Sequence, residues 1–321
     1  CRSKPACAPL PDEELARRIA RLPRATLAAD APKRMSIAGA QHKLLVVLRD
    51  GELFEPMGAT ASTHILKPDH PSADYPASAV NEFVTMRMAR AFGLNVPPVH
   101  LRYVPDPVYV IQRFDRIAAP DGAVTRRHIV DACQLLNEAR SFKYSGQSLQ
   151  TLKDTVGLTR NRVATRQALF RWLLFNVAVG NDDCRLKNLS FLVSHEGIDL
   201  APHYDLLSAS AYRTTAFAGG QEANWPDNAL PYPLREVRSF TQVTREVMEW
   251  AADELRVSPF GHRQFAALAR LPALVQELSS EVQAIREHRS EAAINAAGEA
   301  RLLQGIEPII LKDMLVALAT P

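Results

Sequence analysis

Cysteine is scarce in this sequence, and its few copies form neither a metal-binding motif nor a disulfide framework. The four cysteines among 321 residues are Cys1, Cys7, Cys133 and Cys184. There is no Cys-x-x-Cys pair and no cysteine lies at zinc spacing from a histidine. The strongest apolar run, residues 172–180, is too short to cross a bilayer and contains Asn176. We therefore expect a reducing, cytoplasmic setting without contact to a membrane.

Net charge is also small, because 38 Lys and Arg residues nearly balance 35 Asp and Glu residues to give +3. Such a value does not attract nucleic acid or a membrane surface by bulk charge. The hydrophobic share of 47% and the charged share of 23% are typical of a globular chain and exclude a disordered or fibrous one.

The hydrophobic pattern changes along the chain from strand-like to helical. In the first third, strand-like apolar runs predict strands at 44–48, 63–67, 99–103 and 108–112, and helical spacing predicts helices at 11–22 and 77–92. Further on, we expect helices at 126–138, at 163–179 and from about 241 to 318, with a hairpin over 189–202. The prediction is an α+β fold with two lobes, a strand-rich N-lobe (1–116) and a mostly helical C-lobe (117–321).

A polar loop directly after the buried helix 163–179 carries the most informative residues. Asp183 and Asn188 are spaced as the Asp and Asn of the protein-kinase catalytic loop, and a hairpin then leads to Asp205. Magnesium prefers few carboxylates together with amide oxygens and substrate phosphates, which Asn188 and Asp205 supply. Taken singly, each residue is equally explained as a turn or helix cap. Their order after a buried helix favours a functional set.

Three further segments fit nucleotide binding, although each alone has an ordinary structural explanation. The small residues of 35–43 would let backbone N–H groups approach phosphates, but they match neither Walker nor dinucleotide-binding spacing. Lys67 closes a predicted strand and Glu82 lies in the next helix, where it could hold the lysine in place. The strand that ends at 110–116 could hydrogen-bond adenine.

Seven short pieces of the sequence together resemble the HipA family of bacterial toxin kinases. They occur in family order over residues 34–215: SIAGAQHK at 36–43, THILK at 63–67, Asn81-Glu82, GLNVP at 93–97, RFDR at 113–116, DCRLKN at 183–188 and YDLLS at 204–208. The remaining C-terminal hundred residues fit only as a helical bundle of the right size.

This resemblance implies ATP and Mg²⁺ as cofactors and assigns roles by position. The loop around the ATP phosphates would consist of Ala38, Gly39, Ala40, Gln41, His42 and Lys43. Lys67 would bind the α- and β-phosphates, with Glu82 as its partner. The adenine pocket would be lined by Gln112, Arg113 and Phe114.

The resemblance also implies a catalytic set and a regulatory serine. Asp183 would be the catalytic base, with Arg185 and Lys187 in the same loop. Magnesium would be held by Asn188 and Asp205, with Tyr204 beside them. Ser36 matches the serine on which such kinases phosphorylate themselves, and a phosphate of about −2 charge there should eject the loop and turn the enzyme off.

Several positions depart from the family pattern. Arg185 stands where the family often has a phosphate-contacting histidine, and an arginine can still neutralise phosphate. Gln112 replaces a usual glutamate, a change that a backbone contact to adenine would survive. Ala38 replaces a second serine of some shorter members, so one autophosphorylation site is expected in the loop. Only 33 residues precede the loop, which resembles the short HipT form, whose N-terminal subdomain is a separate small protein.

The function implied is that of an ATP-dependent serine/threonine protein kinase, the toxin of a toxin–antitoxin system. Its substrate would be an aminoacyl-tRNA synthetase and its partner a helix-turn-helix antitoxin, through which alone it would meet DNA. Two alternatives stay open, a catalytically weak kinase fold that acts as a co-repressor and a small-molecule phosphotransferase. A metal hydrolase would use mixed oxygen and nitrogen ligands from Asp182, Asp183, His203 and Asp205.

Overall fold

The computed structural model describes residues 6–22, 42–119, 123–138, 147–219, 222–288 and 296–319, which form two compact units. The first unit comprises 1–83, 97–126 and 280–299, and the second comprises 84–96, 127–279 and 300–321. Strands dominate the first unit and helices the second, so the fold is α+β, as the sequence predicts. The limits differ from the consecutive ranges 1–116 and 117–321, because segments distant in sequence join each unit.

The first unit is built on a six-stranded antiparallel sheet with strand order β1-β3-β2-β4-β6-β5. Its strands are β1 (Cys7–Pro9), β2 (Leu44–Arg49), β3 (Glu52–Pro56), β4 (His64–Pro68), β5 (Val99–Val104) and β6 (Asp106–Gln112). Asp50 and Gly51 turn β2 into β3 with φ of 52° and 82°, the left-handed pair that the Asp-Gly signal predicts. Helix α1 (Asp12–Ile19) adds Leu15 to a core of aliphatic side chains from the sheet.

Two carboxylates, the half-buried Asp69 and the buried Glu299, attach neighbouring segments to this sheet. Asp69, just after β4, accepts a hydrogen bond of 2.8 Å from the Ala79 N–H and so caps helix α2 (Ser78–Phe92). Glu299 is buried, accepts a 2.7 Å hydrogen bond from the Tyr103 hydroxyl on β5 and pairs with Arg286. The second contact explains why residues 280–299 belong to the strand-rich unit.

The second unit is organised around helix α5 (Arg162–Ala178), whose C-terminal half from Leu169 onwards is buried on nearly all sides. Its Phe175 ring lies 5.7 Å from that of Phe92, and its Trp172 ring meets Tyr232 edge-on at 5.6 Å. The other helices along the chain are α3 (Ala132–Leu135), α4 (Leu149–Leu158), α6 (Arg245–Glu254), α7 (Ser258–Leu268), α8 (Leu271–Glu287), α9 (Ala296–Gln304) and α10 (Lys312–Ala319), with a π-helical stretch at Gly305–Leu311 before α10. Across the described ranges, no helix is both long and apolar enough to pass through a bilayer.

Three small sheets complete the fold, and two of them correct the prediction from sequence. These are the three-stranded sheet β11-β10-β9 and the pairs β7–β8 and β12–β13, with strands β7 (Arg116–Ala118), β8 (Val124–Arg126), β9 (His128–Asp131), β10 (Ser190–Ser194), β11 (Gly197–Leu200), β12 (Ala229–Leu234) and β13 (Val237–Ser239). The helix predicted at 126–138 is wrong. The β-branched Ile129 and Val130 pair with β10, so that only α3 is helical there. The hairpin β12–β13 lies in a stretch for which the sequence analysis predicts neither a helix nor a strand.

Gly180 ends the buried helix and starts the polar loop. Its φ of +62° is left-handed, and a Cβ at this position would lie 3.1 Å from the side chains of Ile310 and Trp225. Only glycine fits this conformation and this space without strain. The carbonyls of Val179 and Gly180 are satisfied by the Ser208 hydroxyl (2.7 Å) and the Ser210 N–H (3.0 Å).

We expect the substitution Gly180→Ala to lower the free energy of unfolding by about 2–4 kcal/mol, the combined cost of a left-handed alanine and of crowding. Gly157→Ala is the matched control. It lies in α4 with nothing within 4 Å of the added Cβ, and it should leave stability unchanged or raise it by about 0.5–1 kcal/mol. Urea unfolding measures both, and equal effects of the two substitutions would contradict this account of Gly180.

Candidate active site

In the first unit, Lys67 and Glu82 form a buried ion pair. The Lys67 Nζ lies 2.6 Å from the Glu82 Oε1, and each side chain is only 6% exposed. The Nζ also lies 5.6 Å from the centre of the Tyr109 ring. Strand β4 thus presents the lysine and helix α2 the carboxylate, as their places in the sequence predict. The pair fixes the position of a positive charge in a setting with little water.

The strand end proposed to bind adenine has its backbone donors already engaged. The Gln112 N–H donates to the Pro98 carbonyl at 3.0 Å, and the Arg113 N–H donates to the Thr63 carbonyl at 2.9 Å. Any backbone contact of these two residues with adenine would therefore use their carbonyl oxygens. Phe114 follows in a turn and is half-buried.

Asp115, which the sequence analysis did not single out, organises the residues after this strand. Its carboxylate accepts two hydrogen bonds from the Arg113 guanidinium (2.9 and 2.7 Å) and one from Arg116 (2.5 Å). Burial tends to raise the pKa of Asp115, but Arg113 and Arg116 outweigh it and the pKa is lowered. The alternation of opposite charges in RFDR was the available signal. The Arg113 side chain, which also donates to Ser62 at 3.0 Å, is thereby held by protein groups.

Most of the predicted phosphate loop lies outside the described residues: Ser36, Ala38, Gly39, Ala40 and Gln41. His42 and Lys43 are described, half-buried, and lead directly into β2. Burial and the proximity of His42 lower the pKa of His70. The roles of these loop residues stay predictions.

In the second unit, the loop after Gly180 carries Asp183 and the residues around it. The pKa of Asp183 is raised from its ordinary value, mainly because neighbouring atoms displace water from the carboxyl group and also because Asp205 and Asp182 repel its charge. Arg185 opposes this rise with a 2.9 Å hydrogen bond from its Nε to Oδ1. Since 53% of the Asp183 side chain is exposed, solvent screens all of these effects.

The backbone of this loop is held by buried amide side chains that sequence reasoning missed. The Asp183 N–H donates to the Asn181 Oδ1 at 3.1 Å, and the Leu186 N–H donates to the Gln147 Oε1 at 2.9 Å. Asn181 in turn donates to Asn176 at 2.7 Å. The polar Asn176 within an apolar helix was a usable signal. Gln147 gave none, because it lies 39 residues before its partner.

The predicted metal ligands have the chemistry that magnesium requires. The Asn188 Nδ2 donates to the Asp183 carbonyl at 3.1 Å, which leaves its amide oxygen as the candidate ligand atom. Asp205 has a left-handed φ of 59°, uncommon outside glycine, and its charge raises the pKa of Asp183. A divalent cation would relieve this repulsion, so an amide and a carboxylate oxygen fit magnesium.

Lys187 and Tyr204 lie in the same part of the second unit. Lys187 belongs to a single 3₁₀ turn, Leu186–Asn188. The Tyr204 hydroxyl shares a 2.7 Å hydrogen bond with the Ser190 hydroxyl and lies 3.5 Å from the Lys187 carbonyl. Tyr204 therefore connects the end of the loop to β10.

The residues of the hydrolase alternative do not form a metal centre. Asp182 accepts a hydrogen bond from Asn228 and lies 3.6 Å from the Arg213 Nε. His203 is buried and stacks on Trp172, and burial, helped by Arg171, lowers its pKa to about 3. Over the described part of the chain, no group of three or more His, Cys, Asp or Glu side chains could hold a metal ion. A metal here would depend on amide and phosphate oxygens.

A family model described as the HipA-like C-terminal domain matches residues 35–277, which is most of the chain. The chain belongs to this HipA-like family. The match includes the Lys67–Glu82 pair and the whole Asp183 loop, and it confirms the resemblance drawn from the seven short pieces. The shorter HipT form stays a prediction.

Curated relatives of this HipA-like chain are named as kinases. A putative kinase, Y4mE, of Sinorhizobium fredii is 42% identical over 219 residues, which cover 64% of this chain and 51% of the relative. The serine/threonine-protein kinase toxin HipA of Shewanella oneidensis is 36% identical over 202 residues, covering 57% of this chain and 45% of the relative. The chain thus spans about half the length of the curated relatives it matches.

Among solved structures, the fold is similar to HipA of Shewanella oneidensis in its complex with HipB and operator DNA. The TM-score is 0.71 at 26% sequence identity, with 97% of this chain and 74% of the other chain covered. The α+β, kinase-like fold class expected from the sequence is therefore confirmed.

Removal of the Glu82 carboxylate should cost far more stability than an exposed charge does. We expect Glu82→Ala to lower the free energy of unfolding by about 3–5 kcal/mol, because the buried Lys67 ammonium loses its counter-charge. The double variant Lys67→Met/Glu82→Leu should recover most of that loss. Urea unfolding of the three proteins measures this, and a double variant as unstable as Glu82→Ala would contradict it.

Proposed function

We propose that this HipA-like chain is an ATP- and Mg²⁺-dependent serine/threonine protein kinase. The observation that carries the proposal is the buried Lys67–Glu82 pair at 2.6 Å, joining a strand lysine to a helix glutamate. In protein kinases this pair has to be in place for the lysine to bind the α- and β-phosphates. Names of relatives and the kinase-like fold support the same conclusion.

The proposed reaction is in-line transfer of the γ-phosphoryl group to a hydroxyl. The hydroxyl oxygen bonds to the γ-phosphorus, the bond to the β–γ bridging oxygen breaks, and Asp183 takes the hydroxyl proton. The raised pKa of Asp183 suits a group that must accept a proton. Magnesium bound by Asn188 and Asp205 would neutralise charge that develops on the phosphates.

We further propose that the kinase is the toxin of a toxin–antitoxin pair. The similar Shewanella oneidensis structure contains HipA with HipB and operator DNA, which supports a DNA-binding antitoxin as partner. By the family resemblance, we propose that the protein substrate is an aminoacyl-tRNA synthetase. Phosphorylation of the synthetase would stop tRNA charging and arrest growth.

Two aspartate substitutions distinguish the role of the catalytic base from that of the metal ligand. Asp183→Asn should reduce phosphoryl transfer by about 10²- to 10⁴-fold while ATP still binds, because only the proton acceptor is lost. Asp205→Asn should instead raise the Mg²⁺ concentration required by about 10- to 100-fold. Both should abolish growth arrest on expression.

Phosphoryl transfer from labelled ATP, calorimetric ATP binding and circular dichroism are the measurements. The exposed Asp154, which accepts a 2.7 Å hydrogen bond from Gln150 on the α4 surface, provides the control Asp154→Asn with unchanged activity. Full transfer or growth arrest by Asp183→Asn would rule out the assigned role.

We expect Ser36 to carry the main autophosphorylation site. Ser36→Ala should keep ATP binding and transfer to substrate but lose the phosphorylated loop peptide in mass spectrometry. Wild type incubated with ATP and Mg²⁺ should acquire that phosphate, and Asp183→Asn should not. A purified wild type that stays unmodified and transfers nothing would favour the co-repressor alternative, and a phosphate at another residue would exclude Ser36.

A further inference from the structure

We propose that Asn176 and Asn181 are positioning residues that fix the backbone of Asp183 for phosphoryl transfer. The inference rests on the proposed kinase function, in which Asp183 is the base. Both asparagines are completely buried, and neither is among the residues that the family resemblance assigns.

The two side chains form an unbroken hydrogen-bonded chain from helix α5 to the loop. The Asn176 Nδ2 donates to the Trp172 carbonyl at 2.7 Å, and the Asn181 Nδ2 donates to the Asn176 Oδ1 at 2.7 Å. The Asp183 N–H then donates to the Asn181 Oδ1 at 3.1 Å. A further backbone bond joins the Asn181 N–H to the Asn176 carbonyl at 2.9 Å.

The direction of this chain is fixed at both ends by backbone groups. The Trp172 carbonyl can only accept, so Asn176 must turn its NH₂ group towards it and offer its oxygen to Asn181. Asn181 must then donate to Asn176, which leaves its oxygen for the Asp183 N–H. Neither amide can flip without placing two donors or two acceptors against each other in the core.

Asp183 is thereby restrained from both sides of its backbone. Its N–H is held by Asn181, and its carbonyl accepts from the Asn188 Nδ2 at 3.1 Å. The Arg185 Nε fixes one carboxylate oxygen at 2.9 Å. Of these three contacts, the one to Asn181 continues through Asn176 to the buried end of helix α5, so it ties the position of the carboxylate to the core.

A merely structural role and a positioning role predict different kinetics. Buried amides that only stabilise the fold would, once lost, lower the fraction of folded enzyme and leave the turnover of the folded molecules intact. If the chain positions Asp183, each folded molecule should turn over more slowly while its affinity for ATP is kept. A displacement of about 1 Å at a catalytic group can cost about 100-fold in rate.

The test compares Asn176→Ala, Asn181→Ala and the double variant with Asn161→Ala. Asn161 caps the other end of the same helix, its Oδ1 accepting from the Ala164 N–H at 3.1 Å, so its loss destabilises α5 without touching the loop. We expect kcat to fall about 10- to 100-fold in both single variants with KM for ATP within about twofold of wild type. The kcat of the double variant should be no lower than that of the less active single variant, because the two amides act as one chain.

Amide hydrogen exchange of the peptide 181–188 gives a second measurement that is independent of kinase activity. Exchange should become faster in Asn176→Ala and Asn181→Ala and stay as in wild type in Asn161→Ala. Wild-type kcat in either loop-side variant, a parallel rise in KM, or unchanged exchange would overturn the inference and leave the proposed function standing. A wild type that cannot transfer phosphate would instead refute the proposed function, and the exchange result would still decide whether the chain of amides holds Asp183.

Discussion

The polar loop after Gly180 depends on hydrogen bonds that attach it to the end of a buried apolar helix. A buried amide such as Asn176 is tolerated only when its hydrogen-bonding groups are satisfied, and here its partners are a helix carbonyl and Asn181. The position of the loop is therefore set by the buried C-terminal half of α5. A left-handed glycine at the junction allows the chain to leave the helix without an unsatisfied carbonyl.

The charged side chains are arranged differently in the two units. Neither arrangement is explained by a contribution to the free energy of folding. A fully desolvated pair such as Lys67–Glu82 contributes little net stability compared with apolar residues of the same size, but it fixes one ammonium group in space. In the second unit, Asp183 lies within the repulsive field of Asp205 and Asp182. Under the proposed function, the fixed ammonium group would bind the phosphates of ATP, and the Asp205 carboxylate would bind the metal ion.

The parts predictable from the sequence were those set by local pattern. The strand-like apolar runs and the spacing of Asp183 and Asn188 are readable within a few residues. The prediction of secondary structure was wrong where a segment far away in the sequence determines the local conformation. Ile129 and Val130, for example, form a strand because they pair with β10. The contact between Tyr103 and Glu299, 196 residues apart, could not be read at all.

Arg185 shows how one departure from the family pattern changes the behaviour of the site. The histidine that HipA-family members often carry there would lose its charge near neutral pH, and its effect on a neighbouring carboxylate would then disappear. A guanidinium stays charged at every accessible pH. Because the Arg185 Nε binds the Asp183 Oδ1 directly, it opposes the raised pKa of Asp183 under all conditions. In the proposed kinase, the arginine would therefore lower the pKa of Asp183 at any pH at which the enzyme works, whereas a histidine would do so only below its own pKa.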